Sequence, residues 1–248
     1  MTAEVIGDGF IARHLRRHPL PHHRVTVLAA GVSRTSETAP EQFAREARLV
    51  TDTARRCLEQ HRLLVLLSTA ATGLYGRQGE GRESARITPL TPYGHHKLAM
   101  ERLVTASGAP ALVLRLSHLV GPDQNPAQLI PSLVRQIRSG TVTVHQGARR
   151  DLLDVRHFGT VLNRLLERGV HGRTVNVASG ISHSAEEIVT AVEKAMGLRA
   201  RRVAHEVPPE SVRISTRRMR AYVPEAAHFG FGPAYLDEVI ARYAPATV

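Results

Sequence analysis

Cysteine and long apolar runs are scarce in this 248-residue sequence, and each scarcity excludes a class of protein. Cys57 is the only cysteine, so the chain can form neither an internal disulfide nor a thiolate metal site, and we expect a reducing, cytoplasmic setting. No apolar run approaches the roughly 20 residues that a membrane span needs. The opening residues MTAEVIGDGF contain an acid and two glycines where a secretory signal would place basic and then apolar residues. We therefore expect neither a membrane partner nor a bound metal.

Lysine is almost absent, although the formal net charge is +11. It occurs only at Lys97 and Lys194, and all the other residues of the Lys+Arg set are arginines. Arginine keeps its proton and presents a planar fork, whereas lysine is a compact point charge. Lys97 stands four residues after Tyr93, so this lysine is predicted to have a chemical role.

Aromatic residues are also few, which bears on the partner that the positive charge would attract. A net positive charge favours anionic partners of any kind. Proteins that bind single-stranded nucleic acid interleave basic and aromatic residues, but here aromatics make up only 4% and the arginines are spread along the chain. We interpret most of the charge as a solvated surface. A phosphorylated small molecule is the anionic partner to consider, and a nucleic-acid partner is not expected.

Short apolar runs alternate with amphipathic segments over most of the chain, which is typical of a parallel sheet covered by helices. Strands are predicted at residues 4–6, 25–30, 63–67, 111–116, 142–145 and 174–177. Helices are predicted at residues 11–17, 41–61, 93–107, 127–139, 157–168 and 184–196. The last fifty residues hold five of the fourteen prolines and no long predicted strand, so they are expected to form a small lobe.

A glycine turn follows the first predicted strand. Gly7-x-Gly9-x-x-Ala12 lies between a strand and a helix, the context in which such a turn binds a dinucleotide pyrophosphate at the helix N-terminus. An acidic residue about twenty positions later would bind a ribose hydroxyl, but residues 19–25 read PLPHHRV. The turn therefore predicts a pyrophosphate site, with a purely structural turn as the alternative, and leaves the adenosine side unassigned.

A tyrosine and a lysine lie at the start of the helix predicted at residues 93–107. Tyr93 and Lys97 are four residues apart, so their side chains share one helix face. An ammonium group beside a phenol favours the phenolate, which suits proton exchange with an alcohol or a ketone near neutral pH. Ser68 and Thr69 end a buried strand upstream, and the Thr69 hydroxyl can bind the same substrate oxygen. An exposed helix pair is the alternative, which these hydroxyls and the glycine turn disfavour.

These segments, taken in order, resemble the extended short-chain dehydrogenase/reductases, the NAD-dependent epimerase/dehydratase family that acts on nucleotide sugars. The resemblance covers nearly the whole chain. It is carried by VIGDGFIARHL, VTVLAAGVS, LLVLLSTAATGLYG, TPYGHHKLAMERL, LRLSHLVGPDQNPAQLIPSLVRQI, QGARRDLLDVRHFGTVL and TVNVASGISHSAEEIV. It implies a Rossmann-like, doubly wound parallel sheet in residues 1–178, of which residues 119–141 contribute to the substrate lobe, and a small substrate-binding lobe in residues 179–248.

The resemblance also implies roles for individual residues. Thr69, Tyr93 and Lys97 match the catalytic triad. The residues matched to cofactor binding, besides Tyr93 and Lys97, are Gly7, Gly9, Phe10, Ile11, Ala29, Ala30 and Ser117. Arg150 matches an arginine that faces the substrate's diphosphate, where a bidentate contact favours arginine, and His118 stands where the family usually has asparagine. The expected substrate contacts are therefore Thr69, His118 and Arg150.

The segment between the glycine turn and the strand at residues 25–30 is much shorter than in the family. The resemblance therefore implies that the usual second and third strands are missing, together with the sheet edge that holds adenosine. Basic residues near this gap would meet a 2′-phosphate and favour NADP over NAD, although a solvated cluster fits them equally; they are Arg13, Arg16, Arg17, His22, His23 and Arg24. An alternative alignment makes residues 25–30 the second strand, with Arg34 contacting the 2′-phosphate.

Two further departures affect the expected reaction. Ala70 and Ala71 occupy positions at which the similar sugar 4,6-dehydratases have an Asp-Glu pair, so water elimination lacks its acid and base. Two extra residues, Thr72 and Gly73, precede Tyr75 and are expected to reshape the roof of the site.

The resemblance and these departures together predict the reduction of a ketone on a nucleotide-activated deoxysugar, with NADP or NAD as the cofactor. Tyr93 is expected to donate the proton, Lys97 to assist it and orient the ribose, and Thr69 to polarise the carbonyl. Epimerisation through a transient keto sugar, which needs a tightly held NAD, is the alternative within the family. A sugar-nucleotide-binding relative that has lost its cofactor is the non-catalytic alternative. The resemblance also implies a homodimer formed through the catalytic helices.

Overall fold

The computed structural model describes residues 2–245. Its strands are β1 (Glu4–Ile6), β2 (Val25–Leu28), β3 (Leu63–Thr69), β4 (Glu80–Gly81), β5 (Ala111–Leu116), β6 (His118–Val120), β7 (Thr141–Gln146), β8 (Arg149–Asp154), β9 (Arg173–Val177), β10 (Ser182–Ser184), β11 (Arg201–Glu206) and β12 (Arg213–Ile214). Its α-helices are α1 (Phe10–Arg17), α2 (Pro40–Glu59), α3 (Thr72–Tyr75), α4 (Pro92–Ala106), α5 (Leu129–Arg138), α6 (Val155–Glu167), α7 (Ala185–Met196), α8 (Arg217–Tyr222) and α9 (Tyr235–Tyr243), and a 3-10 helix covers Pro224–His228. Within residues 2–245, no helix has both the length and the apolar character to cross a bilayer.

Five parallel strands form the main sheet, in the order β1-β2-β3-β5-β9. The central strand β3 reads LLVLLST, an apolar run without alternation, because helices cover both faces of a parallel sheet. Helices α1 and α6 pack on one face, where Phe10, Leu15 and Phe158 join the core. Helices α2 and α4 cover the other face through Val50 and Val104. The predicted α/β fold with a doubly wound parallel sheet is confirmed.

Strand β1 lies at the edge of this sheet, and in the described part of the chain its only strand neighbour is β2. In the usual Rossmann order the first strand lies between the second and the fourth. Here β2 lies between β1 and β3, which is the place of the usual fourth strand. The sheet therefore lacks the second and third strands, as the resemblance implies. The alternative alignment is wrong, because it would place β1 between β2 and β3.

An arginine, rather than a strand, covers the outer side of β1. The Arg16 guanidinium donates to the carbonyl of Val5 at 3.3 Å and to that of Gly7. The intervening Ile6 carbonyl accepts a hydrogen bond from the Ala29 N–H on the side of β2, so the Val5 carbonyl points towards the open edge. An exposed edge strand offers unpaired backbone groups to other chains, and a charged side chain over the edge blocks that pairing. Arg16 therefore protects the edge that the missing strands leave open.

The rest of the chain builds a second apolar cluster around α5, α7, α9 and β7. Two small sheets accompany it, with the strand orders β10-β8-β6 and β11-β7. The expectation of no long strand in the last fifty residues is wrong, because the six-residue β11 lies there. Its residues, RRVAHE, are all exposed and carry no hydrophobic pattern, so only the pairing with β7 defines the strand. The division of the chain near residue 178 stays a prediction; α8 packs against the core of the main sheet through Met219.

Candidate active site

A cleft of about 640 Å³ opens at the carboxyl ends of β2, β3 and β5. Ligands of doubly wound sheets bind at this end, where the connections diverge to opposite faces of the sheet. Of the residues singled out from the sequence, its wall includes Phe10, Ile11, Ala29, Ala30, Thr69, Tyr93, Lys97, Ser117, His118 and Arg150. Gly7 and Gly9 belong to the turn just before Phe10. The tertiary structure thus brings widely separated segments of the chain into one place.

The turn between β1 and α1 has a geometry that depends on its glycines. Gly7 has φ +123°, and a Cβ there would also collide with the Ala29 carbonyl, so two independent constraints require glycine. A Cβ at Gly9 would meet no described atom within 4 Å, so the space beside this residue is open to a ligand. Gly9 is the N-cap of the eight-residue helix α1 and offers no side chain to its first N–H groups. Such a helix start can bind pyrophosphate oxygens.

Helix α4 is capped by Thr91, whose hydroxyl accepts a hydrogen bond from the Gly94 N–H at 3.1 Å. Tyr93 and Lys97 lie in the first turns of this helix, and both are almost fully buried. The Lys97 Nζ lies 5.6 Å from the centre of the Tyr93 ring, so the ammonium and the phenol share one helix face. A Cβ on Gly94 would collide with the Gly73 carbonyl, so the glycine after the tyrosine lets α4 contact the loop that follows β3.

Thr69 ends β3, and its Oγ1 accepts a hydrogen bond from the Ala71 N–H at 3.1 Å. This turn leads into α3, which contains the two extra residues, Thr72 and Gly73. Ala71 itself lines the cleft. No acid or base therefore stands at this point of the wall.

Glu46 of α2 is a functional candidate that sequence reasoning missed. Its carboxylate accepts hydrogen bonds from Lys97 Nζ and from the Val32 N–H, both at 2.7 Å, and pairs with His96 Nε2 at 2.9 Å. Burial by itself would raise the pKa of this carboxyl, but the bond to His96 and the charge of Lys97 outweigh burial and lower the pKa to about 2. The signal in the sequence is an acid on the apolar stripe of α2, four residues before the buried Val50.

A second buried ion pair joins the elements beneath the cleft. Glu101 of α4 accepts hydrogen bonds from Arg115 of β5, at 2.6 and 2.9 Å, and from the Ser68 hydroxyl at 2.5 Å. Arg115 also donates to the Tyr75 hydroxyl at 3.0 Å, and that hydroxyl donates to Asn176 at 2.6 Å. Burial raises the pKa of Tyr75, so its hydroxyl keeps the proton. The network fixes the end of β3 relative to α4, β5 and β9.

Another part of the cleft wall carries groups suited to an anionic, hydroxylated ligand. Arg150 Nη1 lies 2.6 Å from Glu210 Oε2, so an incoming anion would exchange with this carboxylate. Burial, and then the charge of Arg150, lower the pKa of His118 to about 3. The imidazole is therefore neutral at physiological pH and offers one donor and one acceptor.

Asp151, next along β8, has its pKa raised to about 6 by burial, although Ser179 donates to it.

In the described part of the chain, the basic residues near the shortened segment do not line the cleft. Arg13 donates to the Asp123 carbonyl at 2.7 Å, Arg17 forms an ion pair with the Asp123 side chain at 2.5 Å, and Arg16 covers β1. Arg34, from the loop after β2, lines the cleft instead. Arg34 is therefore better placed than the cluster to meet an anion bound there.

The family model of the NAD dependent epimerase/dehydratase family matches residues 8–178. The matched range runs from the turn before α1 to the end of the main sheet and includes the cleft residues Thr69, Tyr93 and Lys97. The chain therefore belongs to this family, as its sequence resemblance predicted.

The curated relatives are distant. An uncharacterised UDP-glucose epimerase of Bacillus subtilis is 25% identical over an alignment of 150 positions that covers 57% of this chain and 48% of that protein. A UDP-glucose 4-epimerase of Lacticaseibacillus casei is 28% identical over 54% of this chain and 48% of its own length. A dTDP-glucose 4,6-dehydratase of Xanthomonas campestris is 28% identical over 53% of this chain and 39% of its own length. The chain spans about half the length of the curated relatives it matches, or less.

Solved structures share the fold. MoeE5 in complex with UDP-glucuronic acid and NAD superposes with a TM-score of 0.82 at 22% identity, over 99% of this chain and 98% of that one. RMD from Pseudomonas aeruginosa, complexed with NADPH, superposes with a TM-score of 0.76 at 22% identity, over 99% and 100% of the two chains. At such identities the similarity shows the fold alone.

Proposed function

We propose that this protein reduces a keto group on a nucleotide-activated sugar, with a nicotinamide dinucleotide as the hydride source. One observation carries the proposal: Thr69, Tyr93 and Lys97 line the same cleft as Phe10 and Ile11 at the start of α1. Hydride transfer to a carbonyl requires proton-transfer groups and a bound dinucleotide within one site. Membership of the NAD dependent epimerase/dehydratase family supports a nucleotide-sugar substrate.

The glycine turn and its surroundings fit the pyrophosphate and nicotinamide portions of the cofactor. Gly9 leaves open space at the start of α1, where Phe10 and Ile11 present backbone N–H groups. Ala29 and Ala30, with their small side chains, leave room above the end of β2, and Ser117 lines the same cleft. The bound cofactor supplies the hydride.

The choice of cofactor is proposed from Arg34. A guanidinium binds a phosphate group through two parallel hydrogen bonds, so an arginine on the cleft wall favours NADP over NAD. The open edge beside β1 leaves the adenosine portion without a second strand. We infer from this edge that the cofactor exchanges in each cycle, as a reductase requires.

Tyr93 is the proposed proton donor. Its phenol proton moves to the substrate's carbonyl oxygen as the carbonyl carbon receives hydride, so the ketone becomes an alcohol and the tyrosine a phenolate. The Lys97 ammonium, 5.6 Å from the centre of the ring, stabilises that phenolate. The Thr69 hydroxyl donates to the same substrate oxygen and holds it beside Tyr93.

The substrate's diphosphate is proposed to contact Arg150. A phosphate would take over the hydrogen bond that Arg150 Nη1 now donates to Glu210. The neutral imidazole of His118 is proposed to contact a sugar hydroxyl, since it both donates and accepts. UDP-glucuronic acid, which is bound in the structural neighbour MoeE5, is a nucleotide sugar with a diphosphate of this kind.

Epimerisation is the second candidate function, because epimerases are among the relatives. It would use the same three side chains, but one cofactor molecule must stay bound while the sugar is oxidised and then reduced. Dinucleotide retained through purification would favour this alternative.

A non-catalytic sugar-nucleotide-binding protein is the third candidate, which the missing strands motivate. In each case we propose a homodimer formed through the catalytic helices, as the family resemblance implies.

The test is a titration with NADPH and NADH, followed by turnover with a panel of keto-sugar nucleotides. We expect saturable cofactor binding and oxidation of NADPH that depends on the sugar. Failure to bind either cofactor at millimolar concentration would overturn the redox proposal. Formation of an epimer without net cofactor oxidation would support the second candidate.

A Tyr93→Phe variant tests the proton donor. The substitution removes one hydroxyl and keeps the ring, so we expect turnover to fall by about 100-fold or more while cofactor affinity stays nearly unchanged. Fluorescence titration and single-turnover kinetics measure the two quantities separately. Unchanged turnover would refute the assigned role.

A further inference from the structure

Glu46 occupies a position that the proposed reaction does not yet explain. It lies behind Lys97, on α2 rather than on the catalytic helix, and its side chain is 2% exposed. A Cβ on Gly31, which has φ +130°, would collide with this carboxylate. Glycine at that point therefore lets the loop after β2 close over the carboxylate, so that the Val32 N–H can donate to it at 2.7 Å.

The two oxygens of the carboxylate have different partners. Oε1 accepts from the Lys97 ammonium at 2.7 Å, and Oε2 pairs with His96 at 2.9 Å and with the Val32 N–H. His96 in turn stacks on Phe43 of α2, with ring centres 4.5 Å apart. One carboxylate thus connects the catalytic helix, α2 and the loop that lines the cleft at Ala29 to Arg34.

An ammonium group this deeply buried needs a counter-charge. The Lys97 side chain is 7% exposed, and among the described residues Glu46 is the one carboxylate that forms an ion pair with it. Removing one partner of a buried pair leaves an uncompensated charge, which then moves towards solvent or loses its proton. Either response would weaken the positive charge that faces Tyr93.

We propose that Glu46 is a positioning residue for Lys97, one that keeps the ammonium charged and directed at Tyr93. The inference rests on the proposed role of Tyr93 and Lys97 in proton transfer. It goes beyond that role because it assigns the charge state of the pair to a carboxylate on another helix. Gly31 is also needed for this positioning, since a larger residue there would displace the Glu46 carboxylate.

The variant that separates positioning from packing is Glu46→Gln, which has nearly the same shape. An amide has one oxygen where the carboxylate has two. If its NH₂ group replaces Oε1, it faces the Lys97 ammonium; if it replaces Oε2, it faces the Val32 N–H. A donor meets a donor in either orientation, and the counter-charge is lost.

The scarcity of lysine makes the charge state measurable without any substrate. An amine-reactive acylating reagent modifies neutral amines, and Lys194, 71% exposed on the surface, is the internal reference. We expect the labelling rate of Lys97 relative to Lys194, read by peptide mass spectrometry, to rise several-fold in Glu46→Gln. Glu46→Asp, which keeps the charge on a shorter side chain, should restore most of the protection. If Glu46→Gln does not fold, Gly31→Ala replaces it, because its methyl group would displace the same carboxylate and should raise the labelling ratio in the same way.

The matched control is Glu101→Gln, which removes a similarly buried carboxylate from a different ion pair, one turn further along α4. We expect it to lower the melting temperature without changing the labelling ratio. An unchanged ratio in Glu46→Gln, or an equal rise in Glu101→Gln, would overturn the positioning role and leave Glu46 with a packing role only.

A second measurement uses the pH dependence of turnover. The charged and titratable groups bonded to Lys97 or Glu46, or lining the same cleft, are Glu46 from α2, Tyr93 and His96 from α4, and Arg34, His118, His145 and Arg150 elsewhere on the cleft wall. Loss of the Lys97 charge should move the limb of the profile that reports Tyr93 by roughly one unit to higher pH. An unmoved limb, or one moved to lower pH, would contradict the inference.

The two measurements keep the inference separate from the proposed function. Failure to turn over any keto sugar would defeat the proposed function. In that case labelling would still test the contact between Glu46 and Lys97. Turnover in the wild type together with an unaltered labelling ratio defeats the positioning role alone.

Discussion

Gly7 and Gly9 stand two residues apart in the turn before α1, but their physical tasks differ. Gly7 has a positive φ and lies against the Ala29 carbonyl, so it is required for folding. Gly9 has an ordinary φ of −68° and open space where a side chain would stand. The lack of a side chain at Gly9 is therefore needed for the proposed cofactor site and not for the fold.

Alanine at each position should separate the two tasks. Gly9→Ala should leave the melting temperature almost unchanged and weaken NADPH binding by about tenfold or more, because the new methyl group occupies space proposed for the pyrophosphate. Gly7→Ala should lower the free energy of unfolding by about 2 kcal/mol or more. Thermal denaturation and fluorescence titration measure the two effects. Normal NADPH affinity in Gly9→Ala would place the pyrophosphate elsewhere.

At the residue scale, local spacing predicted the pair on α4 but not its counter-ion. Tyr93 and Lys97 are four residues apart on one helix, so helix geometry alone places them on one face. Glu46 is fifty-one residues from Lys97 in sequence, and its contact exists only because α2 and α4 pack on the same face of the sheet. No local pattern reports such a contact.

At the scale of elements, β1 is the feature that most departs from a complete Rossmann sheet. Its three residues pair with β2 on one side, and Arg16 covers the other side. Arg16 is one of the basic residues near the shortened segment that were expected to meet a 2′-phosphate or, equally, to form a solvated cluster. The structure instead places its guanidinium beside the backbone of β1. In a complete sheet the second strand would occupy this side of β1, so the arginine would not be needed there.

Arg16→Ala should therefore act on the edge strand. Loss of the hydrogen bonds to Val5 and Gly7 should lower the free energy of unfolding by about 1 kcal/mol and speed hydrogen exchange at residues 4–6. The open edge should also promote concentration-dependent association, visible by light scattering. Arg17→Ala, which removes only a surface ion pair with Asp123, is the control. Equal effects of the two substitutions would argue against edge protection.

At the scale of the whole molecule, two titratable groups, the half-buried His118 and the buried Asp151, link stability to pH. His118 has a folded-state pKa of about 3 against an ordinary value of 6.5, so its contribution to stability is complete above pH 6.5 and is lost as the pH falls towards 3. Asp151 acts in the opposite direction. Its pKa is raised from 3.8 to about 6, so its contribution is present below pH 3.8 and is lost as the pH rises through 6.

His118→Asn separates the contribution of this histidine to the pH dependence of stability from that of Asp151. Between pH 7 and pH 5 the wild type should lose about 1–2 kcal/mol of unfolding free energy that the variant does not lose, because only the wild type must protonate this histidine on unfolding. Urea denaturation at the two pH values measures the difference. His171→Asn, at an exposed position, should behave like the wild type. A variant with the wild-type pH dependence would show that His118 is not held neutral.

The sequence by itself determined the fold class, the place of the glycine turn and the pairing of Tyr93 with Lys97. These features depend on hydrophobic periodicity, on backbone conformations that favour glycine and on spacing within one helix, all of which are local. The tertiary structure alone decided that β1 lies at an edge, that Arg16 covers it, that RRVAHE forms β11 and that Glu46 neutralises Lys97. Each of those depends on which segments become neighbours across the sheet or between helices, and long-range packing energy, rather than local preference, settles that choice.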